Sequence, residues 1–264
     1  MKRLVTGGAL AVLFGAILLK GGEVGLALFL AGAAGACAWE LTRMALPGRP
    51  LLSGLVALWS AGVVGSGLTP HPLSTAILLL WGGTAATALV LVLSYSGRGD
   101  EALAWAVAVQ ALVYLGGGGL FALLLRSRPH GLFWLLFLVA AVAAGDTAAY
   151  YTGRALGRHR LHPRLSQGKT WEGTVGGLAA SAAAAAGLAF VAPFHPPPAP
   201  LALLGLAVGA VAQVGDLAES LVKRSFGLKD SGSLLPGHGG VLDRMDGHLF
   251  AAPFLYWLLR WWQG

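Results

Sequence analysis

Long apolar runs recur along the whole chain, and no other feature of the sequence constrains the fold as strongly. Of the 264 residues, 56% are hydrophobic and only 11% are charged, whereas roughly a quarter of the residues of a soluble domain are charged. The runs lack the alternation of apolar and polar residues that is typical of membrane β-barrels. The sequence therefore predicts an all-α, polytopic integral membrane protein.

The number of membrane crossings follows from the lengths of these runs. A helix needs about 20 apolar residues to cross the hydrocarbon core of a bilayer, and proline or glycine between two runs marks where a helix ends. On this basis we predict about nine transmembrane helices. They are expected at residues 4–19, 24–46, 51–68, 75–95, 101–125, 131–153, 173–193, 200–224 and 247–262.

The positions of lysine and arginine predict the orientation of these helices. If the N-terminus lies inside, 14 of the 18 lysine and arginine residues fall in inner segments and 4 in outer segments. Cytoplasmic loops of membrane proteins carry the excess of these residues, so we predict an inside N-terminus and an outside C-terminus. The same rule explains the net charge of +7, and we expect no nucleic-acid partner. Two basic loops, 154–172 and 224–246, then share the cytoplasmic face.

Acidic residues divide the chain into two regions. Only 4 of the 11 precede residue 140. We therefore predict an N-terminal transmembrane scaffold of about five helices at 1–140. A catalytic transmembrane region is expected at 141–264, and it includes the two basic loops.

Four polar residues fall on one face of the predicted helix 200–224. Asp216, Glu219, Ser220 and Lys223 are spaced i, i+3, i+4 and i+7, which places them in one stripe. A carboxylate inside a bilayer costs about 2.5–3.5 kcal/mol unless it meets a partner or water. An ion pair between helices would satisfy Asp216, but the whole stripe favours the wall of a wet cavity.

A second acidic pair, Asp243 and Asp246, follows Gly239 and Gly240 at the beginning of the last predicted helix. Two like charges on one helix face repel each other unless a cation lies between them. Magnesium prefers oxygen ligands, often one or two carboxylates together with substrate phosphates. The alternative is a solvated helix start, where acidic residues interact favourably with the helix dipole.

Cations surround these acidic residues at Lys223, Arg224, Lys229 and Arg244, with a glycine-rich turn at 237–240 between them. Cations and accessible backbone N–H groups bind phosphate oxygens, so the stretch suits a polyphosphate. A plain cytoplasmic charge excess is the alternative.

The loop 154–172 offers a second polar group at Ser166, Lys169 and Thr170. Its Gly168-Lys169-Thr170 is similar to the end of a P-loop, but no glycine stands five residues earlier and no strand is predicted before it. Contact with phosphate is still expected where the next helix begins.

The 27 residues from Ser220 to Asp246 resemble the signature of phosphatidate cytidylyltransferases, also called CDP-diacylglycerol synthases. The matching residues are Ser220-x-x-Lys223-Arg224, Lys229-Asp230 and Pro236-x-His238-Gly239-Gly240-x-x-Asp243-Arg244-x-Asp246. Upstream, Gly145-Asp146 with Tyr150, and the segment 169–173, are similar to the same family. The chain departs from the family at Gln167-Gly168, where Pro-Lys is common.

The resemblance implies that CTP and phosphatidic acid give CDP-diacylglycerol and pyrophosphate with Mg²⁺, a second cation being left open. It also implies a multi-pass protein of the inner (cytoplasmic) membrane, contact with membrane lipids, and a homodimer. A lipid phosphate oxygen is already anionic at neutral pH, so no general base is required, and catalysis rests on positioning and charge neutralisation.

Site residues are assigned on this basis. The catalytic residues are expected to be Asp216, Lys223, Arg224, Lys229, Asp243, Arg244 and Asp246. Metal ligands are expected at Asp216 and Asp243, with Asp246 in support. Substrate-binding residues are expected to be Asp146, Ser166, Lys169, Thr170, Glu172, Glu219, Ser220, Asp230, Gly237, His238, Gly239 and Gly240.

Other functions fit the sequence less well. A cation- or proton-coupled transporter would use Asp146, Asp216 and Glu219 as a relay, but it leaves the charged loop 223–246 unexplained. A CTP-dependent polyprenol kinase is a related alternative. A CDP-alcohol phosphotransferase is excluded, because its aspartate-rich motif is absent from the sequence.

Overall fold

The computed structural model describes residues 15–97, 99–234 and 239–263. The chain forms two compact units. The first consists of Met1–Ser127 and Phe226–Met245, and the second of Arg128–Ser225 and Asp246–Gly264. The predicted functional division at residue 140 concerns roles rather than contacts, and it stays a prediction.

Helices make up the first unit, and residues 15–20 are also helical. The numbered helices are α1 (Gly22–Ala45), α2 (Pro50–Gly65), α3 (Pro72–Leu93), α4 (Glu101–Ala111) and α5 (Gly117–Arg126). A 3-10 turn, Ser66–Leu68, follows α2, and the π-helical residues Leu112–Gly116 join α4 to α5. Proline begins α2 and α3, where its missing N–H is no loss.

The second unit combines helices with a small β-hairpin. Its elements are α6 (Gly131–Leu156), β1 (Arg160–His162), β2 (Ser166–Thr170), α7 (Trp171–Leu188) and α8 (Pro198–Ser225). The last helix, α9 (Leu242–Gln263), has its first residues in the first unit and the remainder in the second.

Small residues bring α6, α7 and α8 close together. The Ser181 hydroxyl of α7 donates a hydrogen bond of 2.8 Å to the carbonyl oxygen of Ala141 on α6. On the other side, a Cβ atom added at Gly209 of α8 would lie 2.5 Å from the Ser181 oxygen. Such contacts let helix backbones approach each other in a membrane, and they fix the three helices that carry most of the candidate site.

Six helical segments are long and apolar enough to cross a membrane, counted over the described residues. They are Gly22–Ala45, Pro50–Leu68, Pro72–Leu93, Glu101–Arg126, Gly131–Leu156 and Pro198–Ser225. Each matches a predicted span to within a few residues, and the prediction of a helical, multi-pass membrane protein is confirmed in this coarser form.

Two further predicted spans, 173–193 and 247–262, form helices α7 and α9 but are not among the six. Glycine and a glutamate near its beginning make α7 less apolar, and α9 begins with Asp243, Arg244 and Asp246. Of the first predicted span, 4–19, only residues 15–19 are described. Nine crossings and their orientation therefore stay predictions.

The basic loop 154–172 is more ordered than an all-α fold predicts. Helix α6 continues to Leu156, and Arg160 pairs with Thr170 and His162 with Ser166 in the antiparallel hairpin. Pro163 cannot continue a strand ladder, so the chain turns there. The expectation of a purely helical chain is corrected at this segment.

Candidate functional site

A cavity of about 560 Å³, with many polar side chains in its walls, lies in the second unit. Its walls come from α6, the hairpin, the beginning of α7 and the middle of α8. The polar side chains in these walls belong to Asp146, Tyr150, Arg154, Arg160, Ser166, Lys169, Thr170, Thr174, Gln213 and Asp216. The volume falls within the range of small-molecule sites, about 300–1,000 Å³.

Helix α6 contributes one stripe of the cavity wall. Asp146, Tyr150, Gly153 and Gly157 recur at intervals of three or four residues, which places them on one face. The two glycines make room for Thr170, whose hydroxyl oxygen would lie 3.1 Å from a Cβ atom at Gly153. Thr170 is buried and accepts a 3.0 Å hydrogen bond from the backbone N–H of Gly173, so it caps α7.

Glu172 holds the hairpin to the beginning of α7. Its carboxylate accepts hydrogen bonds from the backbone N–H of His159 at 3.3 Å and lies 2.7 Å from the His159 ring nitrogen Nδ1. The backbone N–H of Glu172 itself and then the His159 ring lower the pKa of Glu172 to about 2. The predicted contact of Glu172 with substrate stays a prediction.

Three carboxylates of the second unit converge. Asp216 and Glu219 of α8 and Asp246 of α9 each offer an oxygen atom, and these atoms lie within 4.8 Å of one another. Gly215 permits this approach, because a Cβ atom there would lie 2.6 Å from Phe250 and 3.1 Å from the carbonyl oxygen of Asp246. Hard oxygen donors in such a group suit a divalent cation. We refer to Asp216, Glu219 and Asp246 as the acidic cluster.

Two lysines neutralise part of the acidic cluster. The Lys169 ammonium group lies 2.5 Å from Oδ2 of Asp216, and that of Lys223 lies 2.5 Å from Oε2 of Glu219. Glu219 is only 3% exposed. Ion pairs with one buried partner need such short geometry to offset the loss of water. The pair of Lys169 and Asp216 thus places a cation and a carboxylate side by side in the cavity wall.

Asp243 has a different environment. It lies at the beginning of α9, in the part of that helix that belongs to the first unit, and it contacts residues of the preceding loop. Its carboxylate accepts hydrogen bonds from the backbone N–H of Ser231 at 3.1 Å and from that of Gly240 at 2.8 Å. Gly239, beside them, has a φ of +80°, which a residue with a side chain rarely adopts. In this structure Asp243 holds the loop together, and its predicted role as a metal ligand stays a prediction.

Glu40 of α1 holds the same loop. It is 4% exposed, and its carboxylate accepts hydrogen bonds from the Ser231 hydroxyl at 3.1 Å, the Val241 N–H at 3.1 Å and the Leu242 N–H at 3.0 Å. Glu40 lies in the predicted scaffold 1–140, so the sequence predicts no role for it in the site. A carboxylate within the predicted span 24–46 was the available signal, because charged residues inside a membrane are usually functional.

The remaining predicted residues are dispersed. The Arg224 side chain donates to the carbonyl oxygen of Leu165 at 3.4 Å, and Ser220 is half-buried. Lys229, Asp230 and Arg244 are exposed. Gly237 and His238 lie outside the described residues.

Cavity residues that the sequence analysis missed include Arg154, Arg160, Thr174 and Gln213. The amide of Gln213 donates to the carbonyl oxygen of Thr174 at 3.3 Å. Gln213 lies three residues before Asp216, on the same helix face, so its spacing was a usable signal.

The apolar helices define the class as a multi-pass membrane protein. One of its cavities has Asp216 in the wall and two further carboxylates beside that residue. The model of the cytidylyltransferase family matches residues 1–262. The chain belongs to this family, which confirms the resemblance found in its sequence.

Relatives from several bacteria carry one name. Proteins named phosphatidate cytidylyltransferase are 42% identical in Brucella suis, over 89% of this chain and 84% of the relative, and 34% identical in Staphylococcus saprophyticus, over 94% of both. The Bacillus subtilis protein of that name is 32% identical over 98% of this chain and 97% of its own length.

Proposed function

We propose that this protein transfers the cytidylyl group of CTP to phosphatidic acid, giving CDP-diacylglycerol and pyrophosphate. Family membership and the names of the relatives support this reaction. The acidic cluster is the observation that assigns this reaction to particular residues. It pairs with two lysines and lies beside the cavity of the second unit.

The donor set of the acidic cluster fits Mg²⁺. Three carboxylates within 4.8 Å of one another supply hard oxygen ligands, and magnesium binds through carboxylates together with waters and substrate phosphates. Asp216, Glu219 and Asp246 would hold the ion. When bound, the ion would neutralise charge on the phosphates that separate during transfer.

The lysine and arginine side chains at the site would bind phosphate oxygens, a role that needs no proton transfer. Lys169 and Lys223 pair with carboxylates in the structure, and we propose that phosphate oxygens take over as their partners when substrate binds. Arg154 and Arg160 in the cavity wall add positive charge. The phosphatidate oxygen attacks as an anion, so these residues accelerate transfer by orienting two polyanions and reducing their repulsion.

The location of the reaction follows from the sequence-based topology. With an inside N-terminus, the predicted loops 154–172 and 224–246 face the cytoplasm, where CTP is available. Residues at the inner leaflet of the inner membrane would then meet phosphatidic acid, with its acyl chains among membrane lipids. A homodimer remains part of the proposal through the family resemblance.

The direct test uses purified protein in detergent with phosphatidic acid, labelled CTP and Mg²⁺. We expect CDP-diacylglycerol and pyrophosphate to form, and both to require the divalent ion. Asp246→Asn removes one carboxylate of the acidic cluster, and we expect turnover to fall by at least about 10²-fold, as is usual when a group that stabilises transition-state charge is lost. Glu23→Gln changes an exposed carboxylate at the beginning of α1 and should be neutral.

The products of the reaction also distinguish the proposed function from a transporter and from a CTP-dependent polyprenol kinase. A transporter releases no pyrophosphate in detergent, where there are no sealed compartments. A CTP-dependent kinase releases CDP instead of pyrophosphate. Either result, with wild-type protein that is folded, would contradict the proposed reaction.

A further inference from the structure

One buried carboxylate lies in the part of the chain assigned to the scaffold. Glu40 lies near the end of α1, and only 4% of its surface is exposed. A buried carboxylate persists only where hydrogen bonds or charges compensate for the loss of water. Its partners therefore indicate what it does.

Three donors to Glu40 among the described residues come from one segment about 200 residues later in the chain. They are the Ser231 hydroxyl and the backbone N–H groups of Val241 and Leu242. Helix α9 begins at Leu242, and the first N–H groups of a helix have no partner within it. Glu40 thus caps α9 from another helix, where a negative charge also interacts favourably with the helix dipole.

The loop is shaped around this carboxylate. A Cβ atom added at Gly232 would lie 2.6 Å from Oε1 of Glu40, and one added at Gly240 would lie 2.5 Å from Oε2. Both glycines therefore let the backbone reach the carboxylate. Asp243 joins Ser231 to Gly240 through its carboxylate, so two acidic residues together hold Ser231 against the residues that begin α9.

We propose that Glu40 is a positioning residue for nucleotidyl transfer, because it fixes the beginning of the helix that carries Arg244 and Asp246. Asp246 lies one turn after Leu242, so a change at the helix start moves this member of the acidic cluster. The expected effect of Glu40 on the kinetics rests on the proposed function. The contact between Glu40 and the loop is independent of that function. Glu40 itself touches neither substrate nor metal in this account.

The test compares Glu40→Gln with Glu23→Gln, an exposed carboxylate on the same helix. Glutamine keeps the size of the side chain but turns an NH₂ group toward backbone donors. We expect the Mg²⁺ concentration for half-maximal rate to rise about tenfold, the usual scale for residues that orient a metal ligand, and high Mg²⁺ to restore most of the rate. A purely structural role would lower the rate at all Mg²⁺ concentrations without moving that midpoint.

A second readout needs no activity. In protein without metal or nucleotide, hydrogen exchange of the backbone amides at Val241 and Leu242 should become faster in Glu40→Gln and stay unchanged in Glu23→Gln. Mn²⁺ binding, followed by electron paramagnetic resonance without CTP, should weaken by a similar factor of about ten.

The outcomes decide between the two proposals. An unchanged Mg²⁺ midpoint and unchanged hydrogen exchange in Glu40→Gln would overturn the role of Glu40 while leaving the reaction intact. Absence of CDP-diacylglycerol from the wild type would overturn the reaction, and faster exchange in the variant would still support Glu40 as the residue that holds the loop. If Glu40→Gln does not fold, Ser231→Ala removes one of the three donors, and the same midpoint and exchange measurements decide.

Discussion

Two aspartates that the sequence treats alike differ at the scale of single residues. Asp246 belongs to the acidic cluster with Asp216 and Glu219, whereas the carboxylate of Asp243 accepts backbone hydrogen bonds within the loop 231–240. Their spacing of three residues predicted one shared role. In the structure Asp243 binds backbone N–H groups of the loop, and under the proposed function Asp246 alone of the two is a metal ligand.

Asp243→Asn tests this division. Asparagine can still accept one backbone hydrogen bond but turns an NH₂ group toward the other donor, so we expect at least about a tenfold loss of turnover from disturbed positioning. The amount of Mn²⁺ bound at saturation, measured by electron paramagnetic resonance, should equal that of the wild type. Loss of the bound ion in Asp243→Asn would instead establish Asp243 as the metal ligand that the sequence predicted.

At the scale of helices and strands, the site depends on close contacts between small residues. Gly145 and Gly209 both approach Ser181, from α6 and α8 respectively. These contacts lie near Asp146 and Gln213, which line the cavity. Packing at Ser181 therefore sets the spacing of the helices on which the polar side chains stand.

A methyl group at this crossing should destabilise the protein. A Cβ atom at Gly209 would lie 2.5 Å from the Ser181 oxygen and 2.7 Å from its Cβ, and overpacking of this kind costs about 1–3 kcal/mol. We expect Gly209→Ala to unfold at lower temperature than the wild type when it is heated in detergent. Gly187→Ala, on α7 with nothing within 4 Å, is the matched control and should be neutral or slightly stabilising. Equal unfolding temperatures for Gly209→Ala and the wild type would contradict the packing described.

At the scale of the whole molecule, apolar run length predicted the helices well, because each crossing is a local property of about 20 residues. The six segments that meet the length and hydropathy requirements of a span confirm this. The sequence predicts the acidic cluster in part: it indicates Asp216 and Asp243 as leading metal ligands with Asp246 in support, and it places Glu219 among the substrate-binding residues. Which carboxylates meet depends on the contact of α8 with α9 at Gly215, and spacing along one helix does not determine that contact.

For the same reason, local sequence patterns do not predict the hairpin or the role of Glu40. The hairpin is held by Glu172 and His159, thirteen residues apart, and its strands are too short to show alternation. Glu40 meets a loop about 200 residues away. Contact groups the segment Phe226–Met245 with the N-terminal helices, although its sequence suggested membership of the catalytic region.

Locating the bound metal ion would show whether the acidic cluster is the catalytic metal site. Crystals grown with Mn²⁺ and a non-hydrolysable CTP analogue, measured at the manganese absorption edge, would locate the ion by its anomalous signal. We predict a peak that contacts carboxylate oxygens of Asp216, Glu219 and Asp246 and a phosphate of the nucleotide, with Lys169 or Lys223 also on a phosphate. A nucleotide and an ion bound together away from these three carboxylates would contradict the account.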